Sequence, residues 1–314
     1  MYTIGIDLGG TNIVAGVVDD NYNILAAAKC KTGAQRTPEE IIDDMAAMAR
    51  EAVEKAGLSL NDIAHVGVGC PGTCNPETGE VEYTNNINFS HVMLGPILKE
   101  KMGLPVYIEN DANAAAIGEV KAGAAKGAES CVCITLGTGV GGGVILDGKV
   151  FSGFNFSGAE LGHTVIVANG EPCTCGRNGC WEAYASATAL INQTRRAMEA
   201  HPESKMWQIA DTLDKVNGLT AFDAMRAGDA VAKDVVDTYI YYVGCGLTNM
   251  INIFQPEVLC IGGGICKEGE TLLAPLRGII EKERYSKYCE KQTRLCVAEL
   301  GNDAGVVGAA ALGR

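Results

Sequence analysis

The sequence has no continuous run of 18 apolar residues, and it opens with M-Y-T-I-G-I-D rather than with a basic segment followed by an apolar one. These two absences predict that no helix spans a membrane and that no secretory signal is present. Positive charge is also scarce, since 25 Lys and Arg stand against 38 Asp and Glu, for a net charge of -13. An acidic chain is poorly suited to nucleic acids or anionic membranes, so we expect a small-molecule partner.

Cysteine is unusually abundant. The chain has 13 cysteines, an odd number, and outside one short cluster their spacing does not form a disulfide framework. This pattern indicates a reduced, cytoplasmic protein.

A length of 314 residues exceeds what one hydrophobic core usually fills, so two domains are expected.

Short apolar strands alternate with segments of helical periodicity, which predicts an α/β fold. Residues 2–8, 12–18 and 24–30 are predicted to form a three-stranded meander. Thr37 and Glu40 have the spacing of a capping box and predict a helix to about Lys55. The other predictions are, in order, a strand at 63–69, a long polar loop at 70–90, a helix at 92–102, a strand at 105–109, a helix from Asp111, mostly helix at 184–253, a strand at 257–266, and helices at 269–283 and 304–312.

The opening pattern occurs a second time. I-T-L-G-T at 134–138 can be laid over Ile6–Gly10, and in both places a second glycine-spaced strand follows. A repeated supersecondary unit predicts two similarly built domains, although two glycine turns can also look alike by chance. We predict an N-terminal domain at 1–118, joined by the last helix at 302–314, and a C-terminal domain at 119–301.

Between Glu160 and Glu182 the chain reads E-L-G-H and, after nine residues, C-T-C-G-R-N-G-C-W-E. His163, Cys173, Cys175 and Cys180 offer one imidazole and three thiols, which is the donor set of a closed tetrahedral zinc site. Four such donors leave no open coordination position, so the predicted zinc is structural. Chance clustering is the alternative, but glycines beside Cys175 and Cys180 favour the tight turns that a shared ion needs.

Three glycine-rich turns follow predicted strands: D-L-G-G-T-N at 7–12, L-G-T-G-V-G-G-G at 136–143 and I-G-G-G-I at 261–265. The clustered N–H groups of such turns can bind phosphate. The second turn contains G-x-G-x-x-G, but it leads into a strand rather than the helix that a dinucleotide site needs, and the chain has no P-loop motif. Because no turn carries Lys or Arg, a bound triphosphate is expected to need Mg²⁺. Asp7 is expected near that cation, or else it only caps its turn.

Asp111 follows a predicted strand in the sequence I-E-N-D-A-N-A-A. Its simplest interpretation is the N-cap of the next helix. Ligands of α/β folds bind at the carboxyl ends of strands, however, so Asp111 is also placed to accept the proton of a sugar hydroxyl. The two roles are compatible.

These motifs, together with C-P-G at 70–72, occur in one order over nearly all 314 residues. The set resembles the ROK family of sugar kinases and repressors, and is most similar to the bacterial glucokinases of that family. The resemblance implies the actin-like ATPase fold, with two ribonuclease-H-like domains around a cleft. It also implies transfer of phosphate from ATP to the 6-hydroxyl of glucose, and a homodimer or higher homo-oligomer.

The resemblance further implies a role for each matching residue. Asp111 would be the general base. The sugar would contact Gly72, Asn86, Asn110, Asp111, Glu160, His163 and Glu182, with His163 binding zinc through its other ring nitrogen. ATP and its cation would be held by Asp7, Gly9, Gly10, Thr11, Asn12, Gly137, Thr138, Gly139, Gly262, Gly263 and Gly264.

One sugar-binding segment departs from the family pattern. Where these glucokinases usually have N-L-G-W, this chain has N-I-N-F at 86–89, which leaves open N-acetylglucosamine, N-acetylmannosamine, fructose or allose as the substrate. A DNA-binding repressor of the family would carry a helix-turn-helix domain before the first hairpin, and that hairpin begins here at residue 4. A sensor without catalytic activity would be expected to lack Asp111 or the phosphate-binding glycines.

Overall fold

The computed structural model describes all 314 residues and contains 13 strands and 10 α-helices. None of the helices is long and apolar enough to cross a lipid bilayer. The strands are β1 (Tyr2–Leu8), β2 (Asn12–Val18), β3 (Ile24–Lys31), β4 (Ile63–Cys70), β5 (Thr73–Asn75), β6 (Glu80–Tyr83), β7 (Ser90–Val92), β8 (Val106–Asn110), β9 (Cys131–Leu136), β10 (Val140–Leu146), β11 (Lys149–Val150), β12 (Val258–Gly262) and β13 (Arg294–Val297). The helices are α1 (Pro38–Lys55), α2 (Leu94–Met102), α3 (Asp111–Ala122), α4 (Glu182–Ala185), α5 (Ala187–Ala200), α6 (Met206–Ile209), α7 (Thr220–Arg226), α8 (Ala230–Phe254), α9 (Glu270–Glu283) and α10 (Ala304–Ala311).

The first sheet has the strand order β3-β2-β1-β4-β8. Strands β1, β2 and β3 form an antiparallel meander, as predicted, while β4 is parallel to β1 and β8 is parallel to β4. The register pairs Asp7 with Gly69, and Cys70 with Asn110. The carboxyl ends of β1, β4 and β8 therefore lie side by side, which brings Asp7 and the residue after β8 to one edge of the sheet.

The second sheet has the order β11-β10-β9-β12-β13. A hairpin and a short third strand are followed by two later strands, as in the first sheet. The predicted repeat of the opening pattern is therefore confirmed. The glycine turn after β9 leads into strand β10, which agrees with our rejection of a dinucleotide-binding motif there.

Helix α1 begins as its sequence predicts. The hydroxyl of Thr37 accepts a hydrogen bond from the backbone N–H of Glu40, whose carboxylate accepts one from the backbone N–H of Thr37. Gly57, with φ of +69°, follows the helix end at a conformation that glycine adopts without strain. One face of the helix is buried, including Ile41 and Met45, and it packs with strands β1, β2 and β4 in a single hydrophobic core.

The segment 70–90 is not the long polar loop that we predicted. It contains β5 and β6, and with β7 these strands form a separate three-stranded antiparallel sheet. Each strand buries one side chain in the core of the first unit, namely Cys74 on β5, Val81 on β6 and Val92 on β7. Each of these strands is short and largely polar, so the residue pattern of a single strand does not predict that the three strands pair.

The chain divides into two compact units. The first comprises residues 1–133, 143–159 and 298–314, and the second comprises residues 134–142 and 160–297. The first unit thus includes the last helix, α10, together with the N-terminal sheet. The domain boundaries inferred from the sequence stay a prediction.

Within the first unit, α10 approaches its neighbours backbone to backbone. A Cβ atom on Gly67 of β4 would lie 1.8 Å from the carbonyl oxygen of Ala309, and a Cβ on Gly308 would lie 1.6 Å from the carbonyl oxygen of Ala114. Neither position can accept a larger residue unless a helix moves. The glycines therefore set how closely α10 packs between the sheet and α3.

We predict that Gly308→Ala destabilises the protein by roughly 1–3 kcal/mol, the usual cost of overpacking a close contact. Urea unfolding followed by circular dichroism would measure the change. Gly278→Ala in α9 is the matched control, because a Cβ there meets no atom within 4 Å and alanine favours helix. Equal midpoints for the wild type and Gly308→Ala would contradict the packing argument.

Candidate active site

Two carboxylates meet at the carboxyl edge of the first sheet. Asp7 lies near the end of β1, and the negative charge of Asp111 acts on it. Burial, and secondarily the charge of Asp111, raise the pKa of Asp7 to about 6. Burial also raises the pKa of Asp111, although the backbone N–H of Ala112 opposes this shift by donating to the carboxylate. Two acids with raised pKa values, side by side, form an arrangement that a cation would stabilise.

Helix α10 lies directly against Asp7. A Cβ on Gly305 would lie 2.8 Å from the carboxyl carbon of Asp7. The C-terminal helix therefore forms one wall around this acid. Nothing in the local sequence near Gly305 indicated this role, because the contact joins residues almost 300 positions apart.

The N-cap of α3 is Asn110 and not Asp111. The side-chain oxygen of Asn110 accepts hydrogen bonds from the backbone N–H groups of Ala112 and Asn113, at 2.9 and 3.2 Å. Its amide nitrogen donates to the carbonyl oxygen of Gly72 at 3.1 Å. Asp111 is the first residue of the helix. Its carboxylate accepts from the backbone N–H of Ala112 but is not the helix cap. Asn110 thus joins two predicted sugar-binding segments, one of which contains Gly72.

The buried Glu109, which precedes Asn110 in the chain, supports the start of α3. One carboxylate oxygen accepts from the backbone N–H of Asn110 at 2.9 Å and from the side-chain amide of Asn113 at 3.0 Å. Burial raises the pKa of Glu109. In the E-N-D sequence, therefore, Glu109 supports the start of α3, Asn110 caps the helix and Asp111 is a half-buried acid.

The first glycine turn is held by Thr32, which the sequence did not indicate. Its hydroxyl donates to the carbonyl oxygen of Gly9 at 2.6 Å, and its backbone N–H donates to the carbonyl oxygen of Thr11 at 3.0 Å. Gly10, Thr11 and Asn12 are exposed. The turn therefore presents its backbone to solvent while its base is fixed.

The segment 85–89 lies beside this turn. A Cβ on Gly10 would be 3.4 Å from the Cβ of Asn86. Asn86 and Asn88 are exposed, whereas Phe89 is 2% exposed and belongs to the core. The aromatic residue that replaces the usual tryptophan therefore points inward, and the amide side chains are the part of this segment available to a ligand.

In the second unit, the four predicted metal ligands come together. Their ligand atoms all lie within 4.8 Å of one another. The Sγ atoms of Cys175 and Cys180 are 3.6 Å apart, and Cys173 Sγ is 3.6 Å from Nδ1 of His163. Zinc bonds of about 2.3 Å to sulfur and 2.0 Å to nitrogen give tetrahedral edges of roughly 3.6–3.8 Å, so the donor set fits this ion. His163 turns Nδ1 to the cluster, which leaves Nε2 for another partner.

Glu182 directly follows this cluster in the chain and contacts the second glycine turn. One of its carboxylate oxygens accepts from the backbone N–H of Val140 at 2.9 Å, and the other lies 3.8 Å from Cys173 Sγ. A Cβ on Gly139 would lie 2.3 Å from the same carboxylate. Glu182 therefore links the cysteine cluster to the turn at 137–139, a contact that its predicted role in sugar binding did not include.

The start of α5 braces the same turn. The backbone N–H of Ala187 donates to the carbonyl oxygen of Gly137, and the hydroxyl of Thr188 donates to that of Thr138, both at 2.8 Å. Thr188 is a further residue that sequence reasoning missed. Its proximity to the C-W-E motif along the chain was the available signal.

The remaining predicted residues lie in two segments of the second unit. Glu160 is exposed and leads into a short 3-10 turn that ends at His163. Gly262 ends β12, and Gly263 has φ of +107°, where a Cβ would meet the carbonyl oxygen of Leu136 at 2.1 Å. Only glycine fits that position, so the third turn passes close to the end of β9.

The comparisons with known proteins cover almost the whole chain. Residues 3–314 match the model of the ROK family. The chain is 40% identical to a glucokinase of Streptomyces coelicolor over 315 aligned residues, covering 99% of this chain and 97% of that one. It is similar in structure to a ROK family glucokinase from Streptomyces griseus in complex with glucose and AMPPNP, with a TM-score of 0.82, 38% identity and 99% of each chain covered. A ROK hexokinase from Thermus thermophilus gives a TM-score of 0.82 at 35% identity, covering 99% and 97%.

Proposed function

The chain belongs to the ROK family, and on that premise we propose that it is a glucokinase that transfers the γ-phosphoryl group of ATP to the 6-hydroxyl of glucose. Its fold is the actin-like ATPase fold. The observation that carries the proposal is the pair of neighbouring carboxylates, Asp7 and Asp111, at the carboxyl edge of the first sheet. A kinase of this kind needs one acid beside the cation and one beside the attacking hydroxyl.

Asp111 acts as the general base. As the sugar oxygen forms its bond to the γ-phosphorus, the bond between that phosphorus and the β,γ-bridging oxygen breaks, and ADP leaves. The hydroxyl proton passes to the carboxylate of Asp111. A positioned base contributes about 10² to 10⁴ in rate, and the raised pKa of Asp111 makes the carboxylate a better proton acceptor.

The phosphates of ATP are bound by backbone N–H groups of the glycine turns. The phosphate-binding residues are Gly9, Gly10, Thr11, Asn12, Gly137, Thr138 and Gly139, and Gly262, Gly263 and Gly264 lie along the adenosine. Mg²⁺, when bound, neutralises phosphate charge, and Asp7 is the acid placed to hold it directly or through water. The support for this assignment is the absence of Lys and Arg from all three turns.

The sugar is recognised by polar groups, and those proposed are Asn86, Asn110, the backbone at Gly72, Glu160, His163 and Glu182. Nε2 of His163 is available for a hydroxyl because Nδ1 faces the cysteines. Glu182 can contribute one oxygen to the sugar while the other accepts from Val140.

The Cys3His cluster holds a structural zinc ion. The support is the match between its interatomic distances and a tetrahedral coordination sphere. Zinc would fix the segment between Glu160 and Glu182 and would take no part in the chemical step, because all four positions are filled by protein ligands. We also propose a cytoplasmic location, which suits 13 cysteines without a disulfide, and a homo-oligomer, which the family suggests.

We predict about one zinc ion per chain in the purified protein and none in Cys175→Ser, because three ligands hold the ion too weakly to survive dialysis against a chelator. Atomic absorption would measure the metal. Cys289→Ser is the matched control, since Cys289 is also exposed but lies outside the cluster. Zinc retained in full by Cys175→Ser would contradict the ligand assignment.

We predict that Asp111→Asn lowers kcat at least 10²-fold while glucose affinity changes little, because the amide keeps the shape of the side chain but cannot accept the proton. Release of ADP would report turnover, and calorimetry would report sugar binding. Asp147→Asn is the control, because this exposed turn residue has φ of +51°, which asparagine tolerates.

The same assay distinguishes the candidate substrates. A panel of glucose, fructose, allose, N-acetylglucosamine and N-acetylmannosamine, with ATP or polyphosphate as donor, should give the highest kcat/KM for glucose with ATP. A higher kcat/KM for another sugar would support the kinase activity but would identify that sugar as the substrate. No turnover with any sugar would favour a sugar-sensing regulator instead.

We predict that kcat/KM falls as the pH drops through about 6. Asp7 has a raised pKa near that value, and Asp111 is raised too, so both lose their charge at a higher pH than ordinary carboxyls do. The charged forms are needed, so activity is present above these pKa values and lost below them. A pH–rate profile at subsaturating substrate measures this, and constant kcat/KM down to pH 5 would contradict it.

A further inference from the structure

The loop 151–159 in the first unit carries an exposed aromatic side chain that the proposed site does not use. Phe154 is 97% exposed, and Phe151 is 43% exposed. A single exposed apolar side chain is common on protein surfaces, but this one lies in a loop that is hydrogen-bonded to Thr73, next to the proposed sugar contact Gly72. This loop connects β11 to Glu160 along the chain.

The backbone of this loop is strained. Phe156 has φ of +60° and Ala159 has φ of +64°, in the left-handed region that bulky residues rarely occupy. The base of the loop is closed by a hydrogen bond from the N–H of Gly158 to the carbonyl oxygen of Ser152, at 2.8 Å. Strain of this kind collects in segments that change conformation with a ligand.

The loop is also connected to the catalytic acid through two hydrogen bonds. The hydroxyls of Ser157 and Thr73 are 2.9 Å apart. The residue before Thr73 is Gly72, whose carbonyl oxygen accepts from Asn110, the neighbour of Asp111. The loop therefore lies on the same side of the unit as the proposed sugar site.

We propose that the loop 151–159 is a lid over the sugar and that Phe154 moves from solvent onto the bound hexose. This inference rests on the proposed function. The proposed sugar contacts are polar and serve hydroxyl groups, whereas a hexose ring also presents a face of C–H groups to which an aromatic ring is complementary. Covering this face would exclude water that could otherwise take the phosphoryl group.

A tryptophan at position 154 would report the motion. Glucose should shift the emission of Phe154→Trp to shorter wavelength, because the indole leaves water. The native tryptophans interfere little, since Trp181 is fully buried and Trp207 is half-buried. Tyr288→Trp is the matched control, because Tyr288 is 99% exposed in the second unit and should show no shift. Sorbitol, which lacks the ring, should leave both spectra unchanged.

Kinetics test whether the contact contributes to binding. Phe154→Ala should raise the KM for glucose about tenfold, as expected for losing a partly buried aromatic ring, with the KM for ATP nearly unchanged. Emission of Phe154→Trp that does not respond to glucose, or an unchanged KM for glucose in Phe154→Ala, would overturn the proposal of a lid. If the wild type phosphorylates no sugar, the proposed function fails instead, so the two failures are distinguishable.

Discussion

The close approach of α10 to its neighbours determines where the carboxylates of Asp7 and Asp111 lie. The helix fits between the first sheet and α3 only because glycines at the contacts allow backbones to touch. The same helix presents Gly305 to Asp7, and α3 begins at Asp111. The separation of the two acids is thus set by the packing of main chains, which deforms less easily than side chains do. A charge pair with raised pKa values needs such a rigid frame, because the two carboxylates repel each other and would otherwise move apart.

The cysteine-rich segment of the second unit is held in position in a different way. Between Glu160 and Glu182 only a few residues are buried, among them Cys180 and Trp181, so this segment has little apolar surface with which to pack. Structural zinc contributes roughly 10–16 kcal/mol in small peptides, which is ample to order such a segment. The turn at 137–139 is fixed to the same part of the unit, because Glu182 accepts from the N–H of Val140 and Thr188 donates to the carbonyl oxygen of Thr138. The residues proposed for metal, sugar and phosphate binding in this unit therefore belong to one hydrogen-bonded region.

Local signals were predictable from the sequence, and long-range contacts were not. The meander, the capping box at Thr37 and the four zinc-type ligands depend on residues close together in the chain, and the structure contains each of them. The sheet formed by β5, β6 and β7 was missed because its strands have only three or four residues each, too few for an alternating pattern to show. The cap of α3 was assigned one residue too late, because Asn110 and Asp111 are both good N-caps, and only the structure shows that the Asn110 side chain accepts from Ala112 and Asn113. Gly305 and Thr188 act through tertiary contacts, for which the sequence has no periodic signal.

The two halves share a strand order but differ in charge at the equivalent hairpin. Where the first has Asp7, the second has Thr135, with Leu-Gly following in both cases. The proposed triphosphate brings several negative charges to these glycine turns, so a second carboxylate at the matching position would add repulsion without a cation to offset it. One acid beside the cation and an uncharged residue at its counterpart is the arrangement that electrostatics favours. The duplicated architecture therefore offers two turns for the proposed phosphate binding, and the asymmetry at a single position restricts the proposed cation site to the first unit.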